Sequence, residues 1–411
     1  MTVPLGTPGL NFWAGLGPGP GLGGPPDLDS FAADDAVTSA KARASNGELV
    51  RVSFILSALP GTSRLCVHFE EGRELSCFDT VVAAHGKAVL FRLEIGGVEG
   101  LTGNAVDYFI YWAYNSGPKV SLIPRCYSTE EEIAAAEEGS WKRRRQHRMV
   151  IDRDAPLEGE LFRLRSDAGE WEVKRTSARD GKATFRDIHG WWEAHKVVPY
   201  YDRYLCWVDY ARGVILCDVN SDSPDIQYLP LPVGHVPEGC PDIFRSELPQ
   251  AFRSVCITKD ETIMKFINAV HDDRYIMLSD GSKPNFTIVI STLMHDCDEL
   301  GWQDDLKIES RELWDMEGYA DQLLRSVPLF PLMSVNQSNI IYFVLRDRCT
   351  LDAGAKTCVV TLDTVNKKVL SYKDIKAIPK EDPEMASYNI FLNSPFFPSE
   401  FSKHLQKGTP M

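Results

Sequence analysis

The sequence predicts an all-β body, a propeller-like array of short strands with one or two inserted helices. Three observations predict it. Strand-like apolar runs follow one another from about residue 48 to about residue 374, most of them apolar at successive positions, as strands covered on both faces are. YLCWVDYARGVILCDV (204–219) sets two such runs around a short Arg-Gly turn, and PDIQYLPLP (224–232) closes behind them. A pattern of strand, Asp, turn residues and strand recurs as LCDVNSDSPDIQYL near Asp218 and TLDTVNKKVLSY near Asp363. LRSDAGEWEV near Asp167 and HFEEGRELSCF near Gly72 are looser copies. The copies are separated by multiples of about 48 residues, the range of four-stranded propeller blades. FTIVIST with its later Trp302 falls out of phase. Any β-rich chain shows turns at such intervals, so the repeat stands beside that plainer explanation.

Residues 1–45 form a Gly/Pro-rich leader, GLGPGPGLGGPPDLD at its centre. Such a segment buries too little apolar surface to offset its chain entropy, so disorder is expected. Its formal G-x-G-x-x-G at Gly19, Gly21 and Gly24 lacks the preceding strand and following helix of a nucleotide site and reads as composition. The body runs from 46 to 380. VRVSFIL, RLCVHF, KAVLFRLEI, DYFIYWAY and KVSLIP read as strands. A helical insertion near 129–149 follows. Ser128 serves as its N-cap, Glu130 to Glu132 suit the positive dipole end and Lys142 to Arg148 the negative one. After Pro156 come ELFRLRS, EWEVKRT, the hairpin, FRSVCIT, TIMKFINAV, YIMLS, FTIVIST, IIYFVLR, CVVTLD and KVLSY. A second helix is expected over Ser310–Arg325, and 381–411 reads as an irregular C-terminal segment.

Composition excludes several function classes. A net charge of −14 in 411 residues and a pI near 5.2 oppose broad binding to nucleic acid or anionic lipid. No apolar run reaches the roughly eighteen residues of a membrane-spanning helix. The first forty residues hold Asp27, Asp29, Asp34 and Asp35, and no Lys or Arg before Lys41, unlike a secretory or transit signal. Ten cysteines form no Cys-x-x-Cys pair, and Cys206, Cys217, Cys256 and Cys358 sit in apolar runs. That pattern reads as a reduced protein of the cytoplasm or nucleus without structural zinc. The sequons at Asn285 and Asn336 carry little meaning there.

The hairpin resembles a plant family catalogued as domain of unknown function 1618, expanded in grasses. Trp207, Val208, Asp209, Gly213, Ile215, Leu216, Asp218 and the closing Leu229-Pro230-Leu231-Pro232 carry the resemblance. His85–Ile95, the segment from Phe330 and the Thr-Leu-Asp at Asp363 match more loosely, so that residues 50–375 are covered, most densely 197–232. The resemblance implies a plant source and a fold akin to the kelch and F-box-associated β-propellers, with irregularities. It implies no activity. No F-box-like helical module is read ahead of the body, which leaves ubiquitin-ligase membership an analogy of fold. The motif residues have structural uses: Gly213 to supply a positive φ with Arg212 in solvent, Asp209 and Asp218 to bond turn amides, Trp207 to fill the core.

Catalytic motifs are missing: the sequence contains no G-x-S-x-G, no phosphate loop, no H-E-x-x-H and no kinase signature. No catalytic residue, metal or cofactor is therefore assigned. HDCDEL (295–300) is dense in ligand types, yet one loop cannot converge them all on an ion, and a solvated acidic loop is the plainer reading. HGWWEAH gathers His189, Trp191, Trp192, Glu193 and His195, the foremost candidates for a binding loop. The alternative is a loop whose indoles pack beneath the hairpin. WKRRRQHR (141–148) reads as a helix end or as a nuclear import signal over Lys142–Arg145. The expectation is a non-enzymatic module with a protein partner, no membrane and no nucleic acid. An enzyme or small-molecule binder with His189, Glu193, Asp209 and His195 in a central pocket is the competing class.

Overall fold

The computed structural model describes residues 11–17, 38–55, 63–69, 79–95, 105–114, 117–124, 158–165, 169–178, 192, 194–233, 249–258, 262–271, 284–296, 299–346, 356–374, 396–398 and 401. Strands dominate them, and the fold is all-β. The first sheet holds β1 (Asn11–Gly17), β2 (Ala40–Arg43), β3 (Leu49–Ile55) and β4 (Ser63–Phe69). The second is a meander of β5 (Thr80–His85), β6 (Ala88–Ile95), β7 (Ala105–Tyr114) and β8 (Gly117–Leu122). The third begins with the hairpin β9 (Glu158–Arg165) and β10 (Glu170–Ala178). It continues as the meander β11 (Lys196–Tyr200), β12 (Tyr204–Asp209), β13 (Gly213–Asp218) and β14 (Asp225–Pro230). β10 joins β14 in parallel, pairing Ser177 with Asp225.

Two further meanders complete the array. The fourth sheet is β15 (Arg253–Thr258), β16 (Ile263–His271), β17 (Phe286–Asp296) and β18 (Glu299–Glu309). The fifth is β19 (Leu329–Met333), β20 (Ile340–Arg346), β21 (Thr357–Asp363) and β22 (Lys368–Asp374). Finally β23 (Phe396–Pro398) returns to the first sheet, whose order is β2-β3-β4-β1-β23. β1 lies parallel to β4 and antiparallel to β23. The 1–45 leader contributes β1 and β2 and the 381–411 segment contributes β23; β2 pairs locally with β3, whereas β1 and β23 pair with each other across most of the chain, which composition does not reveal.

The cores lie between sheets. Phe54, Leu65 and Val67 of the first sheet meet Phe91, Leu93, Phe109 and Tyr111 of the second. Val208, Val214 and Leu216 of the third meet Val255, Met264 and Phe266 of the fourth. Ile267, Ile288 and Ile308 of the fourth meet Ile341, Phe343 and Val360 of the fifth. Every residue of β19, β20 and β21 is buried, which explains why those runs are apolar without alternation. The leading strands also touch one another: β5 with β11, β11 with β15, β15 with β19, β19 with β23, and β23 with β5.

The helix expected over Ser310–Arg325 is a single turn, α1 (Ser310–Trp314). Gly318, at φ +83°, turns the chain where a Cβ would run into the Val369 carbonyl oxygen. Beyond it Leu323 and Val327 drop into the core between the fourth and fifth sheets. The helix expected over 129–149 lies outside the described residues.

Neighbours on β7 give a test of this register. Phe109 is fully buried and stacked on Phe91 at 5.4 Å, whereas Tyr108 is 40% exposed. Phe109→Ala is expected to lower the unfolding free energy by about 3–5 kcal/mol. Tyr108→Ala should change it by no more than about 0.5 kcal/mol. Denaturant titration of the two variants measures both.

Candidate functional site

The Asp-x-x-Arg-Gly corner between β12 and β13 holds its polar groups in a closed network. Asp209 is fully buried. One carboxylate oxygen accepts the Ala211 N–H at 2.9 Å and the other accepts Arg212 Nη1 at 2.6 Å. Arg212 thus folds back on its own turn, with only 14% of its side chain exposed, and does not project into solvent as expected. Its carbonyl accepts the Leu231 N–H at 3.0 Å, tying the Leu-Pro-Leu-Pro run to the hairpin.

Gly213 differs from expectation too. It does not take a positive φ; among the described residues of this sheet Tyr201 and Asp202 (φ 53° each) and Gly169 do so. Glycine is needed for approach: a Cβ at 213 would stand 2.5 Å from Leu229 O and 2.6 Å from Tyr228 Cε2. The constraint comes from β14 across the ladder, where Gly213 pairs with Pro230. Asp218, ending β13, accepts the Asn220 N–H at 3.1 Å and pairs with Arg203. The Arg203 hydrogen bond outweighs burial and holds its carboxyl below the usual range. Asp363 ends the corresponding third strand of the fifth sheet. Burial pushes its carboxyl up, but hydrogen bonds from Asn366, Asn339 and the Val365 amide win and lower it. The repeated Asp is therefore a turn device at equivalent positions of two sheets.

Behind the corner a polar junction links the third and fourth sheets. His195 Nδ1 accepts the Tyr210 N–H at 3.2 Å and lies 3.8 Å from Asp209 Oδ1. Tyr210 O accepts Arg253 Nη1 at 2.6 Å, while its hydroxyl accepts the Val255 N–H at 3.3 Å. The fully buried Lys196 donates from Nζ to Val255 O at 3.2 Å, and burial lowers its pKa. Cys256 Sγ lies 3.2 Å from Ser254 Oγ and accepts the Met333 N–H of the fifth sheet at 3.4 Å. Sequence reasoning missed Lys196, Tyr210 and Arg253, because their partners are backbone atoms of another sheet.

The binding-loop candidates are only partly brought together. Trp192 packs edge-on to Tyr228, centroids 6.2 Å apart, beside Trp207 and Ile215. That is the packed-indole alternative, and Trp207 is a half-buried neighbour in the same cluster. His195 is in the junction. His189, Trp191 and Glu193 lie outside the described residues, as does all of 141–148. His295 and Asp296 end β17 and pair with Leu300 and Glu299. Cys297 and Asp298 between them are outside the described residues. Among the described residues no three His, Cys, Asp or Glu side chains gather into a metal-binding group, and no helix is long and apolar enough to cross a membrane.

A second feature was hidden by the apolar run of β7. Tyr108, Ile110, Trp112 and Tyr114 share the face opposite Phe109 and Tyr111. Tyr108 and Tyr114 are 40% and 46% exposed, and Trp112 stacks on Tyr114 at 5.9 Å. Arg92 of β6 stands across from Tyr108, and Lys119 of β8 across from Trp112. The result is a face with two exposed tyrosines, half-buried Trp112 between them, and half-buried Arg92 alongside.

Two measurements follow from the corner geometry. Gly213→Ala is expected to destabilise the protein by about 1–3 kcal/mol through overpacking against Leu229 and Tyr228, read by denaturant titration. Asp363 has its pKa lowered on folding, so its contribution is present above the unfolded value and is lost as pH falls through the folded one. The stability gap between wild type and Asp363→Asn should therefore shrink when unfolding is followed from pH 7 down to about pH 3.

Comparison with known proteins bears on this same stretch. The family model described as "Protein of unknown function (DUF1618)" matches residues 207–342, from the hairpin through β20. No curated protein matches the chain. A solved structure, that of a hypothetical selenium-binding protein from Sulfolobus tokodaii, is similar at 10% identity with a TM-score of 0.22. The similarity covers 80% of this chain and 57% of that one. A likeness at that score carries no argument about fold or function. Residues 207–342 are thus the part of the chain that matches the domain of unknown function.

Proposed function

We propose that this chain is a non-enzymatic interaction module. Its five sheets act as the blades of a propeller-like ring, and it binds a protein partner through the outward face of the second sheet. The successive contacts of β5, β11, β15, β19 and β23 support the ring. The single observation that carries the function is the pair of exposed tyrosines, Tyr108 and Tyr114, on one face of β7 with half-buried Trp112 between them and half-buried Arg92 across from Tyr108. Tyr, Trp and Arg dominate the energetically important centres of protein interfaces. A plant source and residence in cytoplasm or nucleus belong to the same reading. They rest on the resemblance and on the basic run Lys142–Arg145.

A small-molecule or catalytic role draws on one contact, His195 Nδ1 at 3.8 Å from Asp209 Oδ1. Against it, both Asp209 oxygens are already engaged by Ala211 and Arg212. A carboxylate so occupied is a turn component and a poor general base.

Affinity capture with the full-length chain tests the module, using Tyr108→Ala/Tyr114→Ala as the comparison. A stoichiometric partner held by wild type and bound at least about tenfold more weakly by the double variant is expected. A partner held equally by both chains refutes this face as the binding surface.

A further inference from the structure

The segment that closes the first sheet is held by two separable means. Among the described residues β23 forms three register pairs, Phe396–Trp13, Phe397–Phe12 and Pro398–Asn11, at the sheet edge. Three residues further on, Phe401 is fully buried in the core between the first and second sheets. Its ring lies 5.0 Å from Phe54 and 5.6 Å from Tyr111, which are themselves 4.8 Å apart, edge to face. A short strand added to an exposed sheet edge with one side chain in an apolar pocket is the arrangement of peptide recognition by strand addition. The main-chain ladder supplies adhesion and the pocket supplies selectivity.

We propose that the edge of β1 together with the Phe54–Tyr111 pocket is a peptide-binding site, filled in cis by Phe396–Pro398 on the edge and Phe401 in the pocket. The same segment of a second copy of the chain can take its place. The ligand class is an extended peptide of the pattern F-F-P-x-x-F. Its proline suits an edge strand, where a missing N–H costs no ladder bond on the solvent side. Tethering gives the chain's own segment an effective concentration of order millimolar. The cis form therefore dominates in dilute protein, and exchange between copies appears when the cis anchor is weakened.

The test uses a fluorescein-labelled peptide of residues 394–403 and two full-length chains, wild type and Phe401→Ala. The variant is expected to bind the peptide at least tenfold more tightly than wild type, because its own segment has lost its anchor. The same peptide carrying Ala at the Phe401 position should bind neither chain. A folded Phe401→Ala chain that ignores the peptide overturns the proposal. If that variant does not fold, Phe401→Leu, which leaves a smaller cavity, is measured in the same way and its peptide binding decides. If neither folds and the peptide restores neither, the segment is an inseparable part of the core and the proposal falls.

Discussion

Sheets that are apolar on both faces must be covered on both sides. β20 and β21 are buried at every position, so no exposed arrangement of the fifth sheet satisfies them. A row of such sheets leaves two uncovered faces at its ends, and a closed array removes them. In the proposed ring, the contacts from β5 through β11, β15 and β19 to β23 and back to β5 supply that closure. It depends on the first sheet, which the chain assembles from both of its arms. β2, β3 and β4 form a local meander, β1 comes from the leader, and β23 arrives after the fifth sheet. Pairing between β1 and β23 is thus the contact on which the proposed ring depends.

The signature hairpin serves the same end. Its Asp209–Arg212 pair satisfies a tight corner internally, which lets that corner sit against the fourth sheet without unpaired charge. Gly213 brings β13 close to Tyr228, and Leu231 follows Arg212 through a main-chain bond. The residues that look most like a functional motif are those that shape the third sheet and dock it on its neighbour. The proposed binding face lies instead on the second sheet, where Tyr108 and Tyr114 remain exposed.

Much of this was legible in the sequence, and the exceptions share a cause. The described strands of the body stand where consecutive apolar residues place them, YIMLS (275–279) lying outside the described residues, and Asp218 and Asp363 mark equivalent corners because a carboxylate bonding turn amides is a local device. The β1–β23 pairing and the burial of Phe401 against Phe54 join residues hundreds of positions apart, and neither end of the chain gives a local sign of them. Gly213 was assigned a local reason, a turn dihedral, when its reason lies across the ladder. The exposed face of β7 was hidden because AVDYFIYWAY is apolar or aromatic at nearly every position, so pattern alone does not say which face is wet. The stretch after α1 reflects the same limit: Gly318 is required by the approach of Val369, some fifty residues away.

Disulfide trapping of the two arms tests closure most directly. Phe12 and Phe397 are paired directly across the antiparallel ladder, where Cα atoms lie about 4.5–5.5 Å apart, within reach of a disulfide. Full-length protein carrying Phe12→Cys and Phe397→Cys, mildly oxidised and mapped by peptide mass spectrometry, should show a 12–397 bridge within one chain. Absence of that bridge in folded protein would contradict the closed arrangement.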